Sequence, residues 1–274
     1  MKKVLTLTDF STVADYAIDA AIHIAKQHGT ELEIFHLLSS SEHIMYELDS
    51  DPEFHIKTGS KMATSASLES WRQKAISLGV KTTFTVAAGS LTKQITERID
   101  SKDVDLIVMG STGKDESDAV WGTTTQQVTK QIEIPILVIK SKLTNYNFEK
   151  IVFASNLELE DQEAFSNFIQ LMTPPKSSLI HFMSVNTSSY FTQPRALMIS
   201  VLKDFQELAK PYKSESTFYH DYSVSSGIRH FLEKTQPDLL VMTDRDRNPI
   251  KDFLIPNPAI KAVGTANCPV LIIK

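Results

Sequence analysis

The sequence predicts an α/β protein made of two tandem doubly wound domains, each a five-stranded, mostly parallel sheet flanked by helices. Three observations predict it. Short β-branched apolar runs alternate with stretches of helical periodicity. The runs are continuous rather than polar at every second place, as strands covered on both faces are. Four of them also recur in the same order in the second half of the chain, which indicates a duplicated domain.

"KKVLTLTDF" at 2–10 is matched by "EKIVFASNL" at 149–157, and "EIFHLLS" at 33–39 by "LIHFMSV" at 179–185. "DLIVMG" at 105–110 is matched by "DLLVMT" at 238–243, and "IPILVIK" at 134–140 by "CPVLIIK" at 268–274. The second match aligns His36 with His181 and predicts one packing or hydrogen-bonding role for both. Residues 1–142 and 149–274 are the expected domains, joined by the polar "SKLTNYNF" at 141–148. After the first strand, "STVADYAIDAAIHIAKQHG" carries Val13, Tyr16, Ala17, Ala20, Ala21 and Ile24 on one face, with Ser11 or Thr12 as its start and Gly29 as its stop. Residues 60–78 form a second expected helix ending at Gly79; Ser90 can cap a third, and a fourth starts near Gly122.

The 274 residues are 42% hydrophobic and 22% charged, with a net charge of -5, which argues against a dedicated nucleic-acid binder. The apolar run after Lys2 and Lys3 is cut by Asp9, too soon for a signal peptide, and nowhere do 18 apolar residues run together, so a cytoplasmic protein with no membrane partner is expected. The single cysteine, Cys268, sits in an apolar segment and reads as a buried, inert thiol. Scattered histidines and the absence of any nucleophile–base motif leave no metal-binding or catalytic residue to name.

"MGSTGKDESDAVWGTT" at 109–124 follows the fourth strand, at the carboxyl end of the sheet, where such folds bind ligands. Gly110 and Gly113 leave the backbone open to close approach, and Gly122-Thr123 stands at the start of a helix, where free N–H groups favour an anion. The spacing fits neither the P-loop nor the dinucleotide fingerprint. Glycine-rich strand-to-helix loops are also common with no ligand, so the stretch alone leaves both readings open.

Taken together, "TLTDFS", "FHLL", "MGSTGK", "GTT" and "IPILVIK" resemble the universal stress protein family in its tandem form, over nearly the whole chain. That resemblance implies an architecture related to the Rossmann and HUP folds, and a stress-responsive sensor or regulator. It also implies binding of ATP or AMP, with or without magnesium. Asp9 would accept hydrogen bonds from adenosine, Thr8 and Leu37 would line the adenine pocket beside Met109, and Gly110, Gly113, Gly122 and Thr123 would hold ribose and phosphates. The family's loop is Gly-x2-Gly-x9-Gly-Ser/Thr. Here residues 114–121 separate Gly113 from Gly122, one fewer, a retraction of up to ~3.5 Å. Asp115, Glu116 and Asp118 would repel a triphosphate unless they face solvent or a magnesium ion.

In the second half Asn156 replaces Asp9, and Thr243 and Asp246 take the glycine positions, with Pro256 and Asn257 near the last of them. Loss of nucleotide chemistry is expected there, since proline has no N–H. Arg245 and Arg247 lie beside Asp244 and Asp246 and read as a neutralised surface loop. The resemblance further implies an intramolecular pseudo-dimer through the last strands, homodimerisation being a second option, with protein partners unknown. Two alternatives to the sensor remain: an interaction scaffold with degenerate pockets, and a slow ATPase. Segment 41–58 is the main insertion of the first half, an excess of 12 residues by the strand matches.

Overall fold

In the computed structural model, residues 1–38, 59–111, 123–187, 195–244 and 266–274 are described. They form two compact units, residues 1–110 with 127–134, and residues 111–126 with 135–274.

The first unit holds β1 (Lys3–Thr8), β2 (Glu31–Leu37), β3 (Thr82–Ala87) and β4 (Val104–Gly110), all parallel, in the order β3-β2-β1-β4. The reversal of strand order lies between β1 and its two neighbours, β2 and β4. Helix α1 (Thr12–His28) packs on β1, β4 and β2, and α2 (Gly59–Ser77) on β3. Helix α3 (Leu91–Lys102) packs on β4. Helix α4 (Thr123–Gln131) runs from one unit into the other.

Local sequence accounts for these elements. Ser11 caps α1 by accepting from Ala14 N–H, and Gly29 ends it in the left-handed conformation at φ 62°. The buried face is broader than the expected stripe, comprising Ala14, Ala17, Ile18, Ala20, Ala21, Ile22, Ile24 and Ala25, while Val13 and Tyr16 are only half-buried. A helix crossing three strands is covered over more of its circumference than one lying in a single groove. Ser90 occupies the N-cap of α3 by backbone geometry, without a side-chain cap bond.

The second unit contains β5 (Ile136–Ile139), β6 (Lys150–Ala154), β7 (Leu179–Thr187), β8 (Lys213–Asp221), β9 (Leu239–Thr243) and β10 (Val270–Ile273), ordered β5-β10-β9-β6-β7-β8. All its pairings are parallel except β5 with β10, which is antiparallel with Leu137 opposite Leu271. The last strand of each repeat thus pairs with that of the other. Both are fully buried four-residue apolar strands, and pairing removes the exposed edges each would otherwise present. Helix α5 (Leu159–Met172) packs on β9 and β10, α6 (Arg195–Leu208) on α5 and β8, and α7 (Val224–Thr235) on β7 and β8.

Backbone details repeat with the strands. Asp105 accepts from Lys2 N–H and Lys3 N–H, as Asp238 accepts from Glu149 and Lys150. Phe10, two residues past β1, and Leu157, three past β6, are both left-handed, at φ 61° and 59°. Each donates its N–H to a hydroxyl two residues earlier, Thr8 or Ser155, at 3.0 Å. These fix Leu5 as the counterpart of Val152.

The register corrects one expectation. Leu5 lies opposite Glu33, and Val152 opposite His181, so His181 corresponds to Glu33 and His36 to Ser184. Matching the histidines placed the repeats three residues out of register, because a shared residue type outweighed the buried pattern. The same register pairs Leu32 with Thr82 and Ile180 with Ser214. The step from Leu32 to Ile180 is 148 residues, that from Thr82 to Ser214 is 132 and that from Ile107 to Leu240 is 133, so the first repeat carries 16 extra residues between β2 and β3 and 15 between β2 and β4, where 12 were expected over the latter span. Segment 41–58 itself lies outside the described residues.

Candidate functional site

At the carboxyl ends of β1, β2 and β4 the first unit brings together five of the residues expected at the site: Thr8, Asp9, Leu37, Met109 and Gly110. Thr8 is 7% exposed; its hydroxyl accepts from Phe10 N–H at 3.0 Å, and its carbonyl accepts from His36 Nδ1 at 2.9 Å. Since a carbonyl only accepts, that bond places a proton on Nδ1. The His36 ring also packs on Phe10, centroid to centroid 4.6 Å.

Asp9 is exposed, one residue beyond β1. Its Oδ1 accepts from Ser11 N–H at 3.0 Å, which fixes the carboxylate at the mouth of the turn. No bond to Oδ2 is made among the described residues. Leu37 is half-buried at the end of β2, and Met109 is 3% exposed in β4. These strand ends thus carry two apolar side chains and, one residue beyond β1, a solvated carboxylate that can accept a hydrogen bond.

Gly110 has a packing reason of its own. A Cβ there would stand 2.8 Å from the carbonyl carbon and oxygen of Val13 and 2.9 Å from Ala14 N, so the first turn of α1 passes directly over it. Gly113 and Gly122 lie outside the described residues, as do Asp115, Glu116 and Asp118. Thr123 is the first residue of α4. In the second repeat Asp246, Pro256, Asn257, Arg245 and Arg247 likewise lie outside them.

The counterpart turn in the second unit carries Asn156, which is exposed, in place of Asp9. Where Gly110 stands, Thr243 donates to Asp161 Oδ1 at 3.2 Å, and Asp161 Oδ2 accepts from Glu158 N–H at 2.9 Å. Asp161 is 1% exposed, so a carboxylate occupies this end of the second sheet. Asp244, the next residue, forms an ion pair with Lys274, both side chains being almost fully buried.

The model of the universal stress protein family matches residues 1–140 and again residues 148–274. The chain belongs to the universal stress protein family. A universal stress protein of Bacillus subtilis is 29% identical over 153 residues, covering 50% of this chain and 98% of that relative. One from Methanocaldococcus jannaschii is 30% identical over 140 residues, covering 51% of this chain and 82% of the relative. The single-repeat length of these relatives makes this chain a tandem universal stress protein. A universal stress protein structure from Archaeoglobus fulgidus superposes with a TM-score of 0.75 at 15% identity, covering 99% of this chain and 96% of that one, which establishes the shared fold. Within that fold, no helix among the described residues is long and apolar enough to cross a membrane.

Sequence reasoning missed one cluster in this unit. Glu33 Oε1 accepts from Thr85 Oγ1 at 2.8 Å and Arg98 Nε at 3.2 Å, and the guanidinium lies 4.3 Å from the Phe35 ring centre. Glu33 is 1% exposed, which makes this a buried ion pair tying α3 to β2. The available signal was a glutamate inside an apolar strand, two residues before the aromatic that would cover its partner.

Proposed function

We propose that this protein is a stress-responsive regulator whose first repeat binds ATP or AMP, with Asp9 recognising the adenine or ribose and the loop after Gly110 receiving the phosphates. The observation that carries the reading is Asp9: a solvated carboxylate, fixed through Oδ1 by Ser11 N–H, beside the apolar Leu37 and Met109 at the ends of three parallel strands. Thr8 supports it from beneath, its own hydroxyl turned inward to the Phe10 amide. Residues 1–142 act as the nucleotide domain and residues 149–274 as its degenerate partner in a pseudo-dimer within the cytoplasm. Asn156 in place of Asp9, and the buried Asp161 carboxylate bonded to Thr243 where the first repeat has Gly110, support the absence of a second site, because a carboxylate there disfavours phosphate.

Calorimetric titration of ATP with magnesium into nucleotide-stripped protein tests this. One site per chain is expected, weakened at least tenfold in Asp9→Ala and unchanged in Asn156→Ala. Two equivalent sites would overturn the assignment of the second repeat. No heat, together with no thermal stabilisation at millimolar ATP, would favour the scaffold, and turnover of ATP the enzyme.

A further inference from the structure

Away from the strand ends, the second unit carries a cleft of about 470 Å³ at the other end of the fold, between the last turns of α7 and the start of β10. Its walls carry both signs of charge. Arg229 and Glu233 are both exposed along one side of α7, one turn apart, and both line the cleft. Residues four apart on a helix are close enough to pair. Among the described residues, however, they form no ion pair with each other.

Arg229 is instead held by its neighbour. Its Nη2 lies 3.2 Å from His230 Nε2, and His230 Nδ1 lies 2.8 Å from Asp221 Oδ2. Glu233 stands in the last turn of α7, where the helix dipole favours positive charge. Gln236 and Asn267 add exposed amides. The floor is apolar, made by Leu232 and Cys268, 6% and 8% exposed.

We infer that this cleft binds a small zwitterion, an α-amino acid with an aliphatic side chain. Its carboxylate meets Arg229, its ammonium meets Glu233 and the carboxyl end of α7, and its side chain lies on Leu232 and Cys268. The volume falls within the range of small-molecule sites. Arg229 and Glu233 stand one helical turn apart, so one small molecule that carries both charges can meet both of them. Neither an anion nor a cation alone would satisfy both walls.

The probe is leucine, titrated into the full chain while the side-chain amide signals of Gln236 and Asn267 are followed by NMR. Saturable shifts of both signals are expected at millimolar leucine or below. Arg229→Met and Glu233→Gln should each weaken the apparent affinity at least tenfold, and both residues are exposed, so the fold should survive. N-acetylleucine and leucine amide, each lacking one charge, should shift neither signal. Unmoved amide signals, or equal binding of leucine and N-acetylleucine, would overturn the assignment.

Discussion

The two repeats share a backbone and differ in what fills it. With Leu5 and Val152 as counterparts, and Ser11 and Glu158 as the N-caps of α1 and α5, Thr6 corresponds to Phe153, Ile18 to Phe165, Ala21 to Phe168 and Ile34 to Phe182. The second repeat packs these four phenylalanines with Phe205 into one buried cluster, with centroids as close as 5.1 Å. The first fills the same positions with small and aliphatic side chains, and there Thr6 is fully buried with its hydroxyl unpaired. At the end of β4, Gly110 leaves room for the first turn of α1, where a Cβ would stand 2.8 Å from Val13, whereas Thr243 at the same place in the second repeat bonds Asp161 of α5. The lesson is that the turns set the architecture, while the residues that fill the core are free to differ.

Removing a central ring gives the largest expected effect. Phe153→Ala should cost ~3–5 kcal/mol, since the ring touches four others and α5 is pinned by its cap. The matching change in the first repeat should have the opposite character: Thr6→Val exchanges an unpaired hydroxyl for a methyl and should be neutral or stabilise by up to ~1 kcal/mol. Chemical denaturation of each variant measures both. If Phe153→Ala and Thr6→Val shifted stability equally, the contrast between the two cores would be lost.

Much of this was readable in advance. The alternation of strands and helices and the helix stops at Gly29 and Gly79 follow from apolar runs and turn residues, whose effects are local, whereas the mutual pairing of the two closing strands is what the family resemblance implies. The core contrast was hidden, because it depends on register, and His36 and His181 offered a plausible but false alignment. Asp9 was legible as a polar residue ending an apolar strand. Gly110 was legible as a glycine, but its contact with Val13 needs the path of α1, which no local pattern supplies.

The second comparison is electrostatic. Ser90 and Ser223 cap α3 and α7, so Arg98 corresponds to Phe231; Thr85 likewise corresponds to Thr217. The trio Glu33, Thr85 and Arg98 is thus replaced by His181, Thr217 and Phe231, where His181 Nε2 bonds Thr217 Oγ1 at 2.8 Å and the ring meets Phe231 edge-on at 4.9 Å. Burial holds the His181 imidazole below the ordinary histidine range, with Glu215 opposing. Arg98→Ala should cost ~3–5 kcal/mol by stranding the Glu33 carboxylate. The pair Glu33→His with Arg98→Phe, which imports the second repeat's solution, should recover at least half of that loss. A double variant no more stable than Arg98→Ala would show that the two clusters are not interchangeable.

The smallest effect comes from the ends of the edge strands. The register places Asp221 where the first repeat has Gly89, and α7 begins beyond a carboxylate that α3 lacks. Asp221 is held down to about 2 by the Ser226 hydroxyl first, then by His230, with the Tyr222 N–H adding to both. Its ordinary value is 3.8, so its stabilisation is complete above that pH and is lost as pH falls through about 2. Asp221→Asn should therefore lower the melting temperature at pH 7 by more than it does near pH 2, so the two profiles converge on acidification. Profiles that stayed parallel from pH 7 to pH 2 would mean that the carboxylate contributes nothing through its charge. The Ser223 cap would then suffice for α7 as the Ser90 backbone cap does for α3, and this end of the fold would behave alike in both repeats.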